Sequence, residues 1–550
     1  MKKIIIILIT LHSSLFTIHL TAQPCLPYGI TFSTQAQIDS FQIVYPNCTE
    51  IEGGVWIEGN DITNLNGLNI LTSIGGYLEI RNNNILTSLT GLNNVTTIEG
   101  DLSLNFNCIL TSLTGLEGLT SIEGSLFIYG SDGLITLTGL HNVTSIGGSV
   151  EIGHIVWGGN PSLTSLTGLD NLTIIGEDLR ISDNPILTSL DGLNNLTSIG
   201  GFLIISHNDL LAGITGLENV TSVGLSLDIT DNDVLINLTG LDKLTTIGDW
   251  LLIQQNEALI SIAGLNNLTS VGKISINWNP SLTSLTGLDN LMSIGESIII
   301  MNNNTLTSLT GLDNVTSIGE YFLIWNNDTL TSLTSLSNLT SIGGHFQIGE
   351  NLVLTSLTGL DNVNSIGGHL SIYNNDTLQS LTGLDNVTSI GGYLYIRNNK
   401  TLTSLTGLDN IDAASIDSLF IYDNIALSTC EVKSICDYLA SPTGTIEIYD
   451  NATDCNSQAE VEAACGVGIS DINFELEVLI YPNPAKDILT ISFSNGATIE
   501  EIVIYNQTGQ KMFETEPTNN TIDVSILKQG MYIVELVSED WKVRKKLIIE

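Results

Sequence analysis

Apolar residues recur along most of the chain with a spacing that changes within each repeat. In one representative stretch they occupy every third position from Leu86 to Ile98, and then every second position at Leu102 and Leu104. Neither spacing follows the 3.6-residue period of an α-helix, so the pattern predicts short extended segments joined by turns. The segment around Leu102 is predicted to be a strand whose leucines point inward and whose intervening residues point outward.

This unit returns fifteen times at a step of 24 residues, apart from one step of 29 and one of 23. One leucine marks the register, at Leu68, Leu92, Leu116, Leu140, Leu169, Leu193, Leu217, Leu241, Leu265, Leu288, Leu312, Leu336, Leu360, Leu384 and Leu408. A single repeat cannot bury its own apolar face, so stacked repeats form the folding unit. The chain is therefore predicted to be dominated by β-structure, as a parallel β-solenoid of about 15 rungs of 24 residues.

Two further positions are constant in most rungs. An asparagine stands three residues after the strand isoleucine, as at Asn208 and Asn303, and it is predicted to tolerate a left-handed backbone and to bond from rung to rung. A glycine precedes the strand, as at Gly75 and Gly391, and it is predicted to permit a tight corner.

These rungs resemble a known family. The opening segment Cys48-Thr-Glu-Ile-Glu-Gly-Gly-Val-Trp-Ile57, and the recurring Ile-x-Gly-x-Leu-x-Ile followed by Leu-x-x-Leu-x-x-Leu, are similar to the receptor L-domain, a relative of the leucine-rich repeats. The resemblance extends over roughly residues 45 to 425. It implies a right-handed β-solenoid that binds a ligand or a partner.

The two ends of the repeat array differ from its middle. Met1-Lys2-Lys3 and the apolar run to Leu20 are typical of a secretory signal peptide, predicted at residues 1–22. We expect an N-terminal cap at 23–50 with a short amphipathic helix within 33–44, the repeat solenoid at 51–428, and a cysteine-rich C-terminal cap at 429–468. That second cap is predicted to hold helices at 429–439 and 457–465 with a strand at 445–449 between them.

After a predicted linker at 469–477, the repeat is replaced by strand-like runs separated by turns. They predict a small β-sandwich of about seven strands over 478–550. Its motifs Tyr-Pro-Asn-Pro-Ala-Lys-Asp, Ile-Tyr-Asn-Gln-Thr-Gly-Gln, Ile-Asp-Val-Ser-Ile-Leu-Lys-Gln-Gly-Met-Tyr and Lys-Lys-Leu-Ile resemble the type A C-terminal sorting domain of the type IX secretion system of Bacteroidetes. The residues that carry the resemblance are Tyr481, Pro482, Asn483, Pro484, Gly509, Gly530 and Tyr532.

That resemblance implies a partner and an address. The partner is the type IX secretion machinery, and the address is the medium or the outer surface of a Gram-negative bacterium. The family further implies that the sorting domain is removed, after which the protein is released or attached to surface lipopolysaccharide.

The charge excludes some functional classes. The chain of 550 residues has 58 acidic against 16 basic side chains, for a formal net charge of −42. Such an excess excludes binding to nucleic acid through phosphate and disfavours docking on anionic lipid. A hydrophobic content of 42% with only 13% charged residues also argues against a disordered acidic protein.

The cysteines suit an oxidising compartment. Cys25 and Cys48 form the natural pair at the front, whereas Cys430, Cys436, Cys455 and Cys465 near the back allow three connectivities. Cys108 stands alone and is predicted to be a buried apolar residue.

The outward strand positions hold the best candidate site. Aromatic and histidine residues recur there on consecutive rungs and are predicted to form one binding patch: Tyr321, Trp325, His345, His369, Tyr373, Tyr393, Tyr395, Phe420 and Tyr422. The histidines are expected to make binding pH-dependent between about pH 5 and 8. The alternative is that the rings only cover a sheet face, because aromatics favour strands.

The sequence thus favours a binding or adhesion protein for a glycan or protein ligand, without catalytic residues or a cofactor. The alternatives are a passive structural or coat protein and an ice-binding or hydrolytic surface protein; threonines recurring at Thr283, Thr307, Thr331, Thr355 and Thr403 keep ice binding open. No metal-ligand motif is present. Calcium remains possible at an acidic column, Asp289, Asp313, Asp361, Asp385 and Asp409, where a solubilising stripe is the simpler interpretation.

Overall fold

The computed structural model describes residues 24–466, 478–493, 500–515, 520–538 and 542–550. The predicted signal peptide at 1–22 and linker at 469–477 lie outside these residues. The chain divides into two compact units, with the boundary between Cys465 and Gly466. Each unit is described by itself.

The first unit is the predicted parallel β-solenoid, and one long parallel sheet runs along it. Each strand pairs in register with the strand one rung further on, as Leu203 with Leu227 and Ile205 with Ile229. The eighteen strands are Ile30–Phe32, Val55–Ile57, Leu78–Arg81, Leu102–Asn105, Leu126–Ile128, Val150–Ile152, Leu179–Ser182, Leu203–Ser206, Leu227–Thr230, Trp250–Gln254, Lys273–Asn277, Ile298–Met301, Phe322–Trp325, Phe346–Gly349, Leu370–Tyr373, Leu394–Arg397, Leu419–Tyr422 and Ile446–Tyr449. The first two and the last of these strands lie outside the fifteen leucine-marked repeats.

A second, narrower face carries strands of two residues. Ten pair in one sheet, at Pro24–Cys25, Glu50–Ile51, Ser73–Ile74, Thr97–Ile98, Ser121–Ile122, Ser145–Ile146, Ile174–Ile175, Ser198–Ile199, Ser222–Val223 and Thr246–Ile247. Five pair in another, at Ser293–Ile294, Ser317–Ile318, Ser341–Ile342, Ser365–Ile366 and Ser389–Ile390. The break between them falls in the rung of 23 residues, where only a bridge from Thr246 to Ser270 remains.

The core fills the space between the faces, as the apolar spacing predicts. Leu86, Leu92, Ile98 and Leu102 are fully buried, and the same positions are buried in every rung. In a few rungs, part of the connection between strands forms a three-residue 3₁₀ helix, at Asn66–Leu68, Thr215–Leu217, Ala263–Leu265, Thr334–Leu336 and Ala413–Ser415. Stacking therefore supplies the core that one rung lacks.

The glycines serve two different needs. The glycine inside the leucine run has a left-handed backbone, with φ of +119° at Gly91, and a Cβ there would lie 2.1 Å from the Leu65 carbonyl oxygen. The glycine before the strand has no left-handed backbone, but at Gly391 a Cβ would lie 2.1 Å from the Gly367 carbonyl oxygen. At these corners glycine is required for close approach between rungs rather than for an unusual φ.

The predicted asparagine ladder lies fully buried beside the long sheet. Asn208 donates through Nδ2 to the carbonyl oxygens of Ile181, at 2.9 Å, and Ser206, at 3.0 Å, while its Oδ1 accepts from the backbone N–H of Asn184 at 3.2 Å. Asn160 and Asn451 extend the ladder beyond the asparagines of regular rungs. In the regular rungs the left-handed residue is the one before the ladder asparagine, not the asparagine itself, which corrects the predicted turn geometry.

Short helices lie at both ends of the solenoid. Helix α1, Gln35–Val44, begins at a Thr34–Gln37 capping box and buries Ile38 and Phe41. Helices α2, Lys433–Ala440, and α3, Gln458–Cys465, flank the last solenoid strand in sequence. Both caps fall where the sequence predicts helices.

Three disulfide bonds cross-link these caps, at Cys25–Cys48, Cys430–Cys455 and Cys436–Cys465. The first is the expected front pair, and the others select one of the three possible connectivities at the back. Cys108 is free and partly exposed, so the prediction of a buried cysteine is wrong.

The described residues of the second unit form seven antiparallel strands in two sheets. One sheet comprises Val478–Tyr481, Ile488–Phe493 and Thr521–Asp523, and the other comprises Glu501–Asn506, Lys511–Thr515, Gly530–Val537 and Lys542–Ile549. Its core includes Leu489, Ile504, Val534 and Leu547. This arrangement matches the predicted small sandwich.

Candidate functional site

The nine predicted patch residues come together on the outward face of the long sheet. The parallel register places Leu323, Gln347, Ser371, Tyr395 and Phe420 in one column of neighbours. We define the aromatic face as Tyr321, Trp325, His345, His369, Tyr373, Tyr393, Arg397, Tyr395, Phe420, Tyr422 and Tyr449. Arg397 and Tyr449 belong to it by contact and were not among the nine predicted residues.

Four rings stack along one edge of this face. The centroids of Tyr321 and His345 lie 4.8 Å apart, those of His345 and His369 4.2 Å, and those of His369 and Tyr393 3.6 Å. Glycines make room for the stack, because a Cβ on Gly392 would lie 2.1 Å from Nδ1 of His369. The 24-residue step therefore turns one outward position per rung into a continuous column of rings.

The two histidines are held as acceptors. Nδ1 of His345 accepts a hydrogen bond from the backbone N–H of His369 at 2.8 Å, and Nδ1 of His369 accepts from that of Tyr393 at 3.0 Å. A proton on Nδ1 would remove this acceptor. Burial lowers the pKa of His369 below its usual value of 6.5, and the neighbouring His345 lowers it further.

Tyrosines and one arginine form the other part of the aromatic face. The Tyr422 hydroxyl donates to the Tyr395 hydroxyl at 3.0 Å, and the ring of Tyr422 stacks on Tyr449 at a centroid distance of 4.7 Å. The Arg397 guanidinium lies 5.3 Å from the Tyr422 ring centroid and bonds to Asp423 at 3.3 Å. Burial, and then the bond to Tyr395, raise the pKa of Tyr422, so this hydroxyl keeps its proton.

Tyr373 and Phe420 complete the packing. The Tyr373 ring covers the backbone of Gly349, where a Cβ would lie 2.5 Å from the ring edge. Phe420 lies 6.0 Å from Tyr393 and 6.2 Å from Tyr395 by ring centroid. These rings remain partly exposed, so they present a pre-ordered surface of ring faces and hydroxyls.

Tyr449 was missed because it lies in the C-terminal cap, outside the repeat. Its strand, Ile446–Tyr449, continues the sheet and pairs Tyr422 with Tyr449. The apolar alternation of Ile446 and Ile448 is the signal that could have placed it. Arg397 occupies a regular outward position. It was left out of the predicted patch because its side chain is charged and not aromatic, although it contacts Tyr422 and Tyr395.

The acidic column has a structural role in the turns. The Asp289 carboxylate accepts a hydrogen bond from the Gly287 backbone N–H at 2.8 Å, and Asp313, Asp361, Asp385 and Asp409 repeat this contact two residues after their own glycines. Across the part of the chain that the structure describes, no cluster of three or more His, Cys, Asp or Glu side chains is arranged to hold a metal ion.

The threonine column also uses its hydroxyls internally. Oγ1 of Thr331 donates to the Thr307 carbonyl oxygen at 3.1 Å, and Oγ1 of Thr307 donates to that of Thr283 at 3.5 Å. A hydroxyl that bonds to a carbonyl oxygen of the neighbouring rung is less available to order water.

The motif residues of the second unit lie at turns and sheet edges. Asn483 bonds across to the last strand, donating to the Lys546 carbonyl oxygen at 2.7 Å and accepting from the Ile548 N–H at 2.8 Å. Gly509 has φ of +76° in a turn closed by Asn506. The Tyr532 hydroxyl donates to the Lys528 carbonyl oxygen at 2.8 Å. Tyr481 is exposed, beside Pro482 and Pro484.

Segments of both units match known families. Residues 479–550 match the secretion system C-terminal sorting domain. Residues 47–119 match the receptor L domain, and the overlapping stretches 219–329, 245–370 and 324–443 match the BspA type leucine rich repeat region. These matches confirm both resemblances predicted from the sequence.

One characterised protein shares a short similarity. A stretch of 71 residues is 38% identical to β-agarase D of Zobellia galactanivorans, which is 13% of this chain and 14% of the agarase. The chain thus covers about a seventh of that enzyme's length, and the similarity carries no enzymatic activity to it. No helix among the described residues is long and apolar enough to cross a membrane.

Proposed function

Since the chain is a secreted or cell-surface leucine-rich-repeat protein carrying a type IX sorting domain, we propose that it is an extracellular binding protein whose aromatic face docks a protein partner. The observation that carries this proposal is the run of tyrosines, histidines and Arg397 in direct contact over consecutive rungs. Adhesion to a cell or a matrix would follow from the same contact.

The shape of the face favours a protein over a small molecule. Small ligands are held in concave sites that enclose most of their surface. The aromatic face is instead a strip of one sheet, on which neighbouring rings fill the space between rungs. A flat surface of this kind suits the broad contact of a protein interface.

The residue types favour the same partner class. Tyrosine, tryptophan and arginine supply most of the binding energy at protein interfaces. Here the Tyr395 and Tyr422 hydroxyls and the Arg397 guanidinium are already fixed by one another, so little side-chain entropy is lost on binding.

The charge around the face indicates the chemistry of the partner. Asp417, Glu447 and Asp450 are exposed near the rings, and Glu350 lies beside Tyr373. An acidic rim attracts a partner with a basic rim and repels an acidic one. We therefore expect a partner with basic residues around an apolar centre, bound faster at low salt.

The fate of the sorting domain bears on where this binding occurs. We propose that the domain is removed after export and that the solenoid is then released or attached to surface lipopolysaccharide. Both outcomes leave the aromatic face available outside the cell. A passive coat protein is the alternative, for which the outward rings would have no ligand.

The test is a binding screen with the secreted, mature protein. Wild-type protein and a Tyr395→Ala variant are applied to arrays of extracellular proteins and of glycans, at low and at physiological salt. The proposal expects a basic protein ligand whose signal falls at least tenfold in the variant. A glycan as the Tyr395-dependent ligand would reassign the partner class, and a ligand that binds both proteins equally would reject the face.

A further inference from the structure

A column of left-handed residues follows the strands of the long sheet, and its side chains pair from rung to rung. The members are Asn82, Phe106, Asp183, His207, Asp231, Gln255, Trp278, Asn302, Asn326, Glu350, Asn374, Asn398, Asp423 and Asp450, with φ between +50° and +61°. Asn326 donates through Nδ2 to Oδ1 of Asn302 at 2.6 Å, and Asn398 donates to Oδ1 of Asn374 at 2.9 Å. Asn326 and Asn398 thus each use a side-chain oxygen on the preceding rung.

Two bulky aromatic residues, Phe106 and Trp278, stand in this column, and Trp278 precedes its run of paired asparagines. Asparagine and aspartate adopt a left-handed backbone readily, whereas a bulky aromatic residue does so at a cost. Trp278 has φ of +58° and leaves 55% of its side chain exposed. A large apolar ring that is exposed to water on a strained backbone does not stabilise the folded chain. Strain of this kind often marks a functional position.

Trp278 leaves an amide without a partner. Asn302 stands one rung after Trp278, and the indole offers no acceptor for its Nδ2. Asn302 is only 5% exposed, and among the described residues its Nδ2 has no hydrogen-bond partner. Asn277 Oδ1, next to Trp278 in the chain, is likewise buried without a partner. A repeat with asparagine at 278 would satisfy Asn302, as Asn302 satisfies Asn326.

Trp278 and Asn302 line one hollow. It has a volume of about 550 Å³ and is bordered by Asp231, Gln255, Glu257, Trp278, Pro280, Asn302, Asn304 and Asn326. One wall is therefore the indole of Trp278, and the others carry amides and two carboxylates. None of these residues belongs to the aromatic face defined above.

We propose that this hollow binds a neutral pyranose unit of a polysaccharide. The apolar C–H face of a sugar ring stacks on indole, and its hydroxyls both donate and accept. Amide groups match such hydroxyls in both directions, and Glu257 accepts from them. The two carboxylates, Asp231 and Glu257, in a chain with a net charge of −42, disfavour uronate and sulfated sugars.

The test is affinity electrophoresis of the mature protein in gels containing laminarin, galactomannan, dextran or hydroxyethylcellulose, with alginate as the anionic member. Wild-type protein should be retarded by at least one neutral polysaccharide and not by alginate. Trp278→Asn should weaken that binding at least tenfold, and Trp278→Phe should weaken it less. The matched control is Trp157→Ala, which removes another Trp that is 60% exposed and should leave binding unchanged.

The stability of the Trp278→Asn variant gives an independent readout. Because asparagine suits the backbone and provides a partner for Asn302, its melting temperature should equal or exceed that of wild type. The proposal is overturned if no neutral polysaccharide binds, if Trp278→Asn binds as wild type does, or if that variant melts well below it. Tyr395→Ala should keep polysaccharide binding, so failure of the aromatic face and failure of this site are distinguishable.

Discussion

Among single residues, Asn208 shows what the buried asparagine ladder does. Its side chain hydrogen-bonds the carbonyl oxygens of Ile181 and Ser206 and the N–H of Asn184, and it is fully buried. A buried backbone group that loses its partner costs about 1–3 kcal/mol. The ladder therefore fixes the register of neighbouring rungs more strictly than apolar packing alone.

Replacing Asn208 by alanine should be costly. We expect Asn208→Ala to lower the free energy of unfolding by about 2–3 kcal/mol, because three backbone groups lose a partner. The control is Asn338→Ala, since Asn338 is exposed and bonds to the Asp313 carbonyl oxygen; its loss should cost less than about 1 kcal/mol. Urea unfolding followed by circular dichroism measures both. Equal costs would contradict the structural role of the buried ladder.

We expect His369 to make the stability of the solenoid depend on pH. The pKa of His369 is lowered in the folded chain, so below about pH 6.5 the unfolded chain binds protons more readily than the folded one. Stability should therefore fall as pH drops from 7.5 to 5.5. The loss of melting temperature over this range should be smaller in His369→Gln than in wild type, and an equal loss would show that His369 does not titrate between the two states.

At the scale of elements, the sequence predicts the regular rungs well and their exceptions poorly. The change from a spacing of three to a spacing of two locates the long-sheet strands because only one face of each can be buried. It does not predict the strand Ile30–Phe32, which precedes the first leucine run. The left-handed residue was misplaced by one position because asparagine is common at both positions.

The candidate site was predicted to a similar extent. A fixed 24-residue step is enough to place Tyr321, His345, His369 and Tyr393 in one column, because parallel pairing conserves register. Sequence does not reveal that the Nδ1 atoms accept backbone hydrogen bonds, that Asp289 closes a turn, or that Trp278 deprives Asn302 of a partner. Each of these depends on distances between rungs that no spacing rule supplies.

The C-terminal cap is an element whose stability rests on covalent links. Cys436 in α2 is bonded to Cys465 in α3. Replacing both by serine should destabilise the cap by about 2–4 kcal/mol, because the unfolded chain gains freedom. Limited proteolysis between the helices reports this opening. Cys108→Ser is the control and should leave cleavage unchanged, because Cys108 is free; similar cleavage in both variants would argue against the cross-link.

For the molecule as a whole, the sorting domain of the second unit indicates that the first unit is located in the medium or on the cell surface. Deleting residues 476–550 should leave the solenoid in the periplasm, because the sorting domain interacts with the type IX secretion machinery. Immunoblots of periplasm, outer membrane and medium measure this. The full-length Tyr395→Ala protein should still be exported, since its change lies in the other unit. A truncated chain found in the medium would reject the export route.

The proposed function requires that the solenoid bind a protein partner through its aromatic face. The most direct measurement is isothermal titration of that partner with wild-type protein and with the Tyr373→Ala/Tyr395→Ala double variant, alongside their melting temperatures. Removing two central rings should cost about 2 kcal/mol or more of binding free energy, a loss of more than tenfold in affinity, while the melting temperature changes little. A double variant that melts much lower and yet binds normally when folded would show that the rings only cover the sheet.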